Sequence, residues 1–543
     1  MLLTNRSDFS NFAAFGGPAD SRLYVSVNQA GELINLGLTG EYDEQGRPFS
    51  FINSRYRFRI RRVNPGGADP VVHGPFTIDV TNANISGWEE AIFGAYATDL
   101  MEPNPAKNNQ LDYVYRFAAD QAGEYYIEFE DEGRDGDPKV LIGYWDVTVT
   151  RAGTPVPGRV WSRNWALRTP VQDGTVPGEC GWDRKFNGML YSYTADGFVS
   201  RIDFADSGFQ GLAFTVAFNM SGPGTSGDFA EDRKSIPGAN ATNNAAQHQI
   251  FLNEPDPAVF PDGECGTVEG AGAFSCNGTG DYCLDVRVTR PGQVDVILDF
   301  DGNGRFDPSS ADVILVHCFE EGQLESCISW NGVKGDGSIF AFGEQLDIIY
   351  RYTQGVQNWA VYDGEFMKNG FCVEAIRPIC GDGSLTSTLY WDDRNIGEEP
   401  GTGQPRDGRG GFTCRTGGAR TWTSFQPNQD CAQLEDALTT GYGDKNTLNT
   451  WWFAGVTRQV AAGVAPLTAR IAGPATTACA GEFAQLEAEV SASSGGWQYR
   501  WEGPDGYTAA GAASIRVQRA VIYCVTITDA RGCTASACYD LTF

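Results

Sequence analysis

Most of the marks of a catalytic or membrane-spanning protein are missing from this chain. Of 543 residues only three are histidine (His73, His248 and His317), and none sits in a His-Glu-x-x-His motif. No Gly-x-Ser-x-Gly nucleophile turn and no phosphate-binding glycine loop occurs. There is no Cys-x-x-Cys pair, which excludes zinc-ribbon and thioredoxin-type readings. Nor is there a run of about 18 apolar residues, so no segment reads as a membrane-spanning helix. Basic residues are scarce, 40 against 69 acidic ones, for a net charge of −29. That balance argues against nucleic acid and anionic membranes as partners. The opening Met-Leu-Leu-Thr-Asn-Arg lacks the apolar core of a signal peptide, so the chain is expected to be a mature or excised part of a longer precursor.

What is present points outside the cell. Fourteen cysteines, an even number, fit seven disulfides and an oxidising compartment. The 67 glycines, with Pro, Asn, Asp, Ser and Thr between short apolar runs, are the punctuation of an all-β chain. Aromatic residues make up 12 %, enough to build real cores. The length calls for roughly three to five domains.

Four segments are expected. Residues 1–153 carry no cysteine and read as an immunoglobulin-like β-sandwich. Tyr56–Val63 alternates strictly and predicts a half-buried strand, as do 112–118, 124–129 and 144–150. A stiff Thr154-Pro-Val-Pro-Gly158 joint opens a disulfide-rich β-sandwich, 154–378. Within it, 284–289 and 294–299 flank Arg290-Pro-Gly-Gln293 and predict a hairpin, with Val286, Val288, Val294, Val296 and Leu298 facing one core. Residues 379–465 read as a loop-rich aromatic segment, with one short helix at 431–438 and a Cys414–Cys431 staple. Residues 466–543 read as a last sandwich, with Trp501 in its core. There 521–528 and 534–541 form a hairpin whose midpoint, Arg531, is halfway between Cys524 and Cys538. Those two cysteines face each other and should bond, which leaves Cys479 for Cys533.

One motif carries ligand chemistry. In Asp299-Phe-Asp301-Gly-Asn303-Gly-Arg305-Phe-Asp307 oxygen-bearing side chains stand at 299, 301, 303 and 307 of the alternate positions, and Gly304 occupies the sixth place, where a calcium loop turns sharply. Asp299, Asp301 and Asn303 would give side-chain oxygens, Arg305 its carbonyl, and Asp307 an oxygen directly or through water. Ser310 replaces the usual Glu at the twelfth place, and Asp312 is the substitute ligand. The loop leaves a strand, so this is a calcium loop without an EF-hand. The acidic run 131–137 lacks such periodicity and reads as a solvated loop. Adjacent His317 and Cys318 suit a structural strand better than a catalytic pair. Trp391, Trp451 and Trp452 either stack on glycans or fill a small core, and the core is the simpler reading.

The run Tyr523-Cys-Val-Thr-Ile-Thr-Asp-Ala-Arg-Gly-Cys-Thr534 resembles the end of the immunoglobulin/PKD-like repeats in giant secreted surface proteins of Bacteroidota. Val72–Phe76, Tyr390–Asp393, Gly441–Phe453 and the Asp299–Asp307 loop resemble segments of the same proteins. The resemblance implies an all-β chain of tandem immunoglobulin/PKD-like sandwiches, serving as a structural or adhesive subunit of an extracellular fibre or appendage. It also implies export by a type IX route, although a C-terminal sorting domain is missing from the sequence. It transfers no catalytic residue. The expected ligand is calcium, and the expected partner is further copies of the chain, with segment 379–465 as the contact. A glycan-binding module is the alternative, and a secreted hydrolase a more distant one.

Overall fold

The computed structural model describes residues 2–4, 11–39, 55–79, 115–131, 141–142, 144–168, 186, 188–204, 209, 213–238, 245–272, 274–276, 282–338, 340, 345–362, 364, 366–367, 370–381, 385–397, 404–414, 419–423, 442–463, 469–474, 483–490, 497–519, 521–528 and 534–542. They are nearly all β, in several antiparallel sheets. They fall into two compact units, 1–265 with 354–455, and 266–353 with 456–543.

The first unit is built on a nine-stranded sheet. Its order is Cys372–Arg377, Val199–Asp203, Met189–Tyr193, Gln249–Phe251, Val160–Ser162, Leu23–Val27, Gly123–Asp131, Arg55–Arg62 and Val71–Asp79. The alternation in Arg55–Arg62 is realised directly: Tyr56, Phe58 and Ile60 are buried, while Arg57, Arg59 and Arg61 are half-exposed. The expected boundary at 153/154 does not divide two sandwiches. Val160 and Trp161 pair with Val25 and Tyr24, so the chain beyond the Pro-rich joint re-enters the first sheet. Sheet edges are satisfied by whichever strand is nearest in space, and a short stiff joint returns the chain to the same core.

This unit buries charge as well as rings. Glu32, fully buried, accepts from Arg151 Nη2 at 2.7 Å and from buried Arg159 Nη1 at 3.3 Å. Arg159 also meets Asp256 at 2.7 Å. Glu128 takes both Arg59 and Arg61. Buried Arg420 grips Asp393 with both terminal nitrogens, and Ser235 Oγ donates to the same carboxylate at 2.6 Å. Each guanidinium has a carboxylate partner, which lets such charges sit in a core.

Residues 379–465 are not a separate loop-rich piece. Asn446–Gly463 is an 18-residue strand, and its first part belongs to the first unit. Trp391, Trp451 and Trp452 are all buried, Tyr390 stacking on Trp451 and Trp391 on Phe412. These rings are core, not a glycan platform. Cys414 is joined to Cys372, not to Cys431. Pairing of Phe371 with Ala419, and of Leu389 with Phe412, carries Cys414 to the strand that begins at Cys372. Cys431 and the helix expected at 431–438 lie outside the described residues, as do Cys479, Cys533 and most of the acidic run 131–137.

In the second unit, Leu284, Val286, Val288, Val294, Val296 and Leu298 share one core with Trp330, Tyr350 and Tyr352. The expected shared face is present, but the expected hairpin is not. Tyr282–Val288 pairs with Val268–Gly270, Ser275–Cys276 and Glu325–Trp330, whereas Gly292–Asp299 pairs with Val313–Phe319 and Leu346–Tyr362. The two strands face each other across the core as an arch between sheets. Tyr352 Oη donates to the carbonyls of Arg290 and Pro291, both at 3.0 Å, and so holds the arch's turn away from a hairpin ladder.

The C-terminal sandwich has its own core, with Trp501 fully buried among Leu486, Val525 and Ile527. Ile522–Thr528 and Thr534–Asp540 form the expected hairpin, and Cys524 stands opposite Cys538 and is bonded to it. Cys265–Cys380 and Cys283–Cys327 are the other disulfides among the described residues.

Candidate metal centre

The Asp299–Asp312 loop is the connection of a hairpin. Leu298 pairs with Val313. Asp299, the last residue of one strand, and Asp312, just before the next, therefore stand side by side at the loop's base. Gly302 and Gly304 hold φ values of +71° and +79°, the left-handed region where a Cβ is strained. Phe306 turns inward and packs against Ile297 and Ile349, which fastens the loop's middle to the sheet.

Backbone amides organise the carboxylates. Asp299 accepts from Gly302 N at 2.8 Å and from Gly304 N at 2.7 Å. Asp312 accepts from Phe300 N at 2.8 Å and from Asp307 N at 2.9 Å, which closes the base of the loop. Asp299 is 1 % exposed and Asp312 3 %. With exposed Asp301 they offer oxygens that all lie within 4.8 Å of one another. Two oxygens bound to one calcium at 2.3–2.6 Å are at most about 5 Å apart, so the spacing suits a single ion.

The other expected ligands behave differently. Asn303 Nδ2 donates to Asp301 Oδ2 at 2.8 Å, and its Oδ1 accepts from Arg305 N at 2.9 Å. Asp307 accepts from Ser309 N at 2.8 Å and Ser309 Oγ at 2.6 Å, and these bonds hold its carboxyl below the usual range. Both side chains serve local turns. Of the six expected positions, the structure gathers Asp299, Asp301 and Asp312, and it leaves Asn303, Arg305 and Asp307 along the loop wall. Sequence reasoning did not find Arg458, whose Nη2 donates to Gly304 O at 2.8 Å. It lies about 150 residues away on another strand, and no local signal marks it.

The residues fit a hard divalent cation. Three carboxylates in one small space repel each other, and the ion removes that repulsion while adding ligand bonds. Asp299, Asp301 and Asp312 would hold it. It would supply rigidity, by tying the two strand ends through one centre.

Neither a family model nor a curated protein matches the chain. Solved structures do align over nearly all of it. A tetra-tandem repeat in the extending region of a large adhesion protein aligns at 9 % identity and TM-score 0.14, covering 95 % of this chain and 96 % of that one. Trypsin-activated alpha-2-macroglobulin from Escherichia coli aligns at 8 % identity and TM-score 0.13, with 96 % of this chain and 46 % of that one covered. Scores this low do not establish a shared fold.

Proposed function

We propose that this chain is a structural or adhesive subunit of a bacterial extracellular fibre or appendage, and that calcium in the Asp299–Asp312 loop stiffens it. The observation that carries the reading is the set of four disulfides among the described residues of an all-β chain. Disulfides persist where the surroundings are oxidising, and they resist unfolding where no chaperone can help. The same economy runs through the polar groups, because the buried contacts of the first unit include guanidinium–carboxylate ties between distant segments. Among the described residues no helix is long and apolar enough to cross a membrane. The likeness of 523–534 to repeats of Bacteroidota surface proteins supplies the cell-surface setting, and further copies of the chain are the proposed partners.

The test is the mass and form of the native material. Light scattering and electron microscopy should find ordered multimers that grow with concentration. A monodisperse monomer at high concentration would remove the assembly part of the proposal. Steady turnover of a polysaccharide or peptide, lost on replacing one carboxylate, would remove the structural reading altogether.

A further inference from the structure

One buried polar contact in the first unit takes no part in any strand ladder. Ser192 lies on Met189–Tyr193 in the nine-stranded sheet. Gln357 lies on Leu346–Tyr362, which is not a neighbour of that strand in any sheet. Both side chains are fully buried. Ser192 Oγ donates to Gln357 Oε1. On the other side of the carboxamide, Gln357 Nε2 donates to Ser200 Oγ at 2.9 Å. Ser200 is the cross-strand partner of Ser192. One hydroxyl thus meets the amide's oxygen end while a second holds its nitrogen.

A base stands on the same face. Ser192 pairs with Ile250, and Tyr193 with Gln249. His248 is therefore the diagonal neighbour of Ser192, roughly 7–8 Å away between backbones, within reach of a ring. His248 Nε2 meets Val356 O at 3.0 Å. A carbonyl only accepts, so the ring proton sits on Nε2, and Nδ1 carries the lone pair. Nδ1 is buried with no partner in hydrogen-bond geometry, and the Asn219 backbone is a second polar neighbour of the ring. Asp196 steadies the same stretch, accepting from Gly355 N at 2.9 Å. Burial keeps the imidazole neutral by lowering its pKa to about 4, so the lone pair persists at neutral pH.

We propose that Ser192 and Gln357 become joined by an intramolecular ester that the folded chain forms by itself. In the resting contact the Ser192 hydroxyl donates its proton to Gln357 Oε1; for the reaction the hydroxyl turns, Oγ attacks Gln357 Cδ, and the proton passes to His248 Nδ1. The C–O bond forms, and the amide carbon becomes tetrahedral. The bond from Cδ to Nε2 then breaks, and the nitrogen takes the proton and leaves as ammonia from beside Ser200 Oγ. A hydroxyl and a carboxamide give an ester and ammonia, with no oxidant, reductant or cofactor. Burial excludes the water that would hydrolyse the product. The link spans 165 residues of sequence, and unlike the disulfides it survives reduction. It does not depend on the proposed function.

The experiment is the intact mass of the purified full-length protein after reduction and denaturation. The expected value lies below the sequence mass by one ammonia. Digestion should then give one branched peptide joining the Ser192 and Gln357 segments, and hydroxylamine should split it. A mass equal to the sequence mass overturns the proposal. So does an ammonia loss confined to one linear peptide, which marks a cyclic imide. Ser192→Ala should restore the full mass; if that variant fails to fold, the wild-type peptide map still decides. His248→Gln keeps both reacting groups and should slow crosslinking about a hundredfold, the usual share of a general base.

Discussion

The first unit and the C-terminal sandwich solve the same stability problem differently. The first unit is large enough to bury ion pairs: Glu32 with Arg159, and Asp393 with Arg420. In the C-terminal sandwich the ion pairs Arg470–Glu489, Arg500–Glu502 and Arg519–Asp505 are all exposed to solvent. Among the described residues its holding devices are one buried tryptophan and one cross-strand disulfide. The lesson is one of scale. A small core cannot desolvate a charge and still close around it, so it relies on a staple, whereas a broad sheet can surround a guanidinium completely.

The sharpest way to break this contrast is to unpair a buried charge. Glu32→Ala leaves buried Arg159 with Asp256 as its one remaining carboxylate partner among the described residues and should destabilise the first unit by about 3–5 kcal/mol, read by chemical denaturation. Arg519→Ala in the small sandwich should change stability by less than about 0.5 kcal/mol. Equal costs at the two sites would dissolve the comparison.

Acid should weaken the first unit through His248. Its pKa is about 6.5 unfolded and about 4 folded. Between those values the unfolded chain binds the extra proton, so stability is full above pH 6.5 and falls as the pH drops towards 4. The loss amounts to about 3 kcal/mol on this group's account. His248→Gln should flatten that part of the pH–stability curve. An unchanged slope would mean that carboxylates carry it.

The small sandwich should answer to its staple. Replacing Cys524 and Cys538 by Ser should cost about 3 kcal/mol, as expected for a loop of this size. Thiol labelling of the denatured, unreduced wild type should show no more than two free thiols. More would undo the disulfide framework on which the comparison rests.

The Asp299–Asp312 loop should fall between the two strategies, since its carboxylates are clustered but lack a buried cation partner among the described residues. Calcium at 100 times its dissociation constant should stabilise the protein by about 2.7 kcal/mol. Asp312→Asn should abolish most of that gain, and chelation should reverse it. A melting temperature indifferent to calcium and chelator would reduce the loop to an acidic turn.

What was legible followed from short range. Strand Arg55–Arg62 showed because its two faces meet different surroundings, so its residues alternate. The Cys524–Cys538 bond showed because both cysteines sit in one hairpin, where counting from the turn gives the register. The proximity of Asp299 and Asp301 showed because an acidic loop is a contiguous stretch of chain. Asn446–Gly463 did not show, because most of its first half is buried whatever the face, and a strand without a wet face has no alternation to read.

The sequence by itself determined the β class, the disulfide-bonded character and the position of the acidic loop, since each depends on composition or on residues a few places apart. Tertiary structure alone decided which edges pair. It turned 284–299 into an arch instead of a hairpin, returned 160–162 to the first sheet, gave Cys414 to Cys372, and set Ser192 against Gln357. Those outcomes depend on which distant strand fills an open edge or a facing layer. That is settled by competition among all the strands for backbone partners and buried area, and no local stretch of sequence records its result.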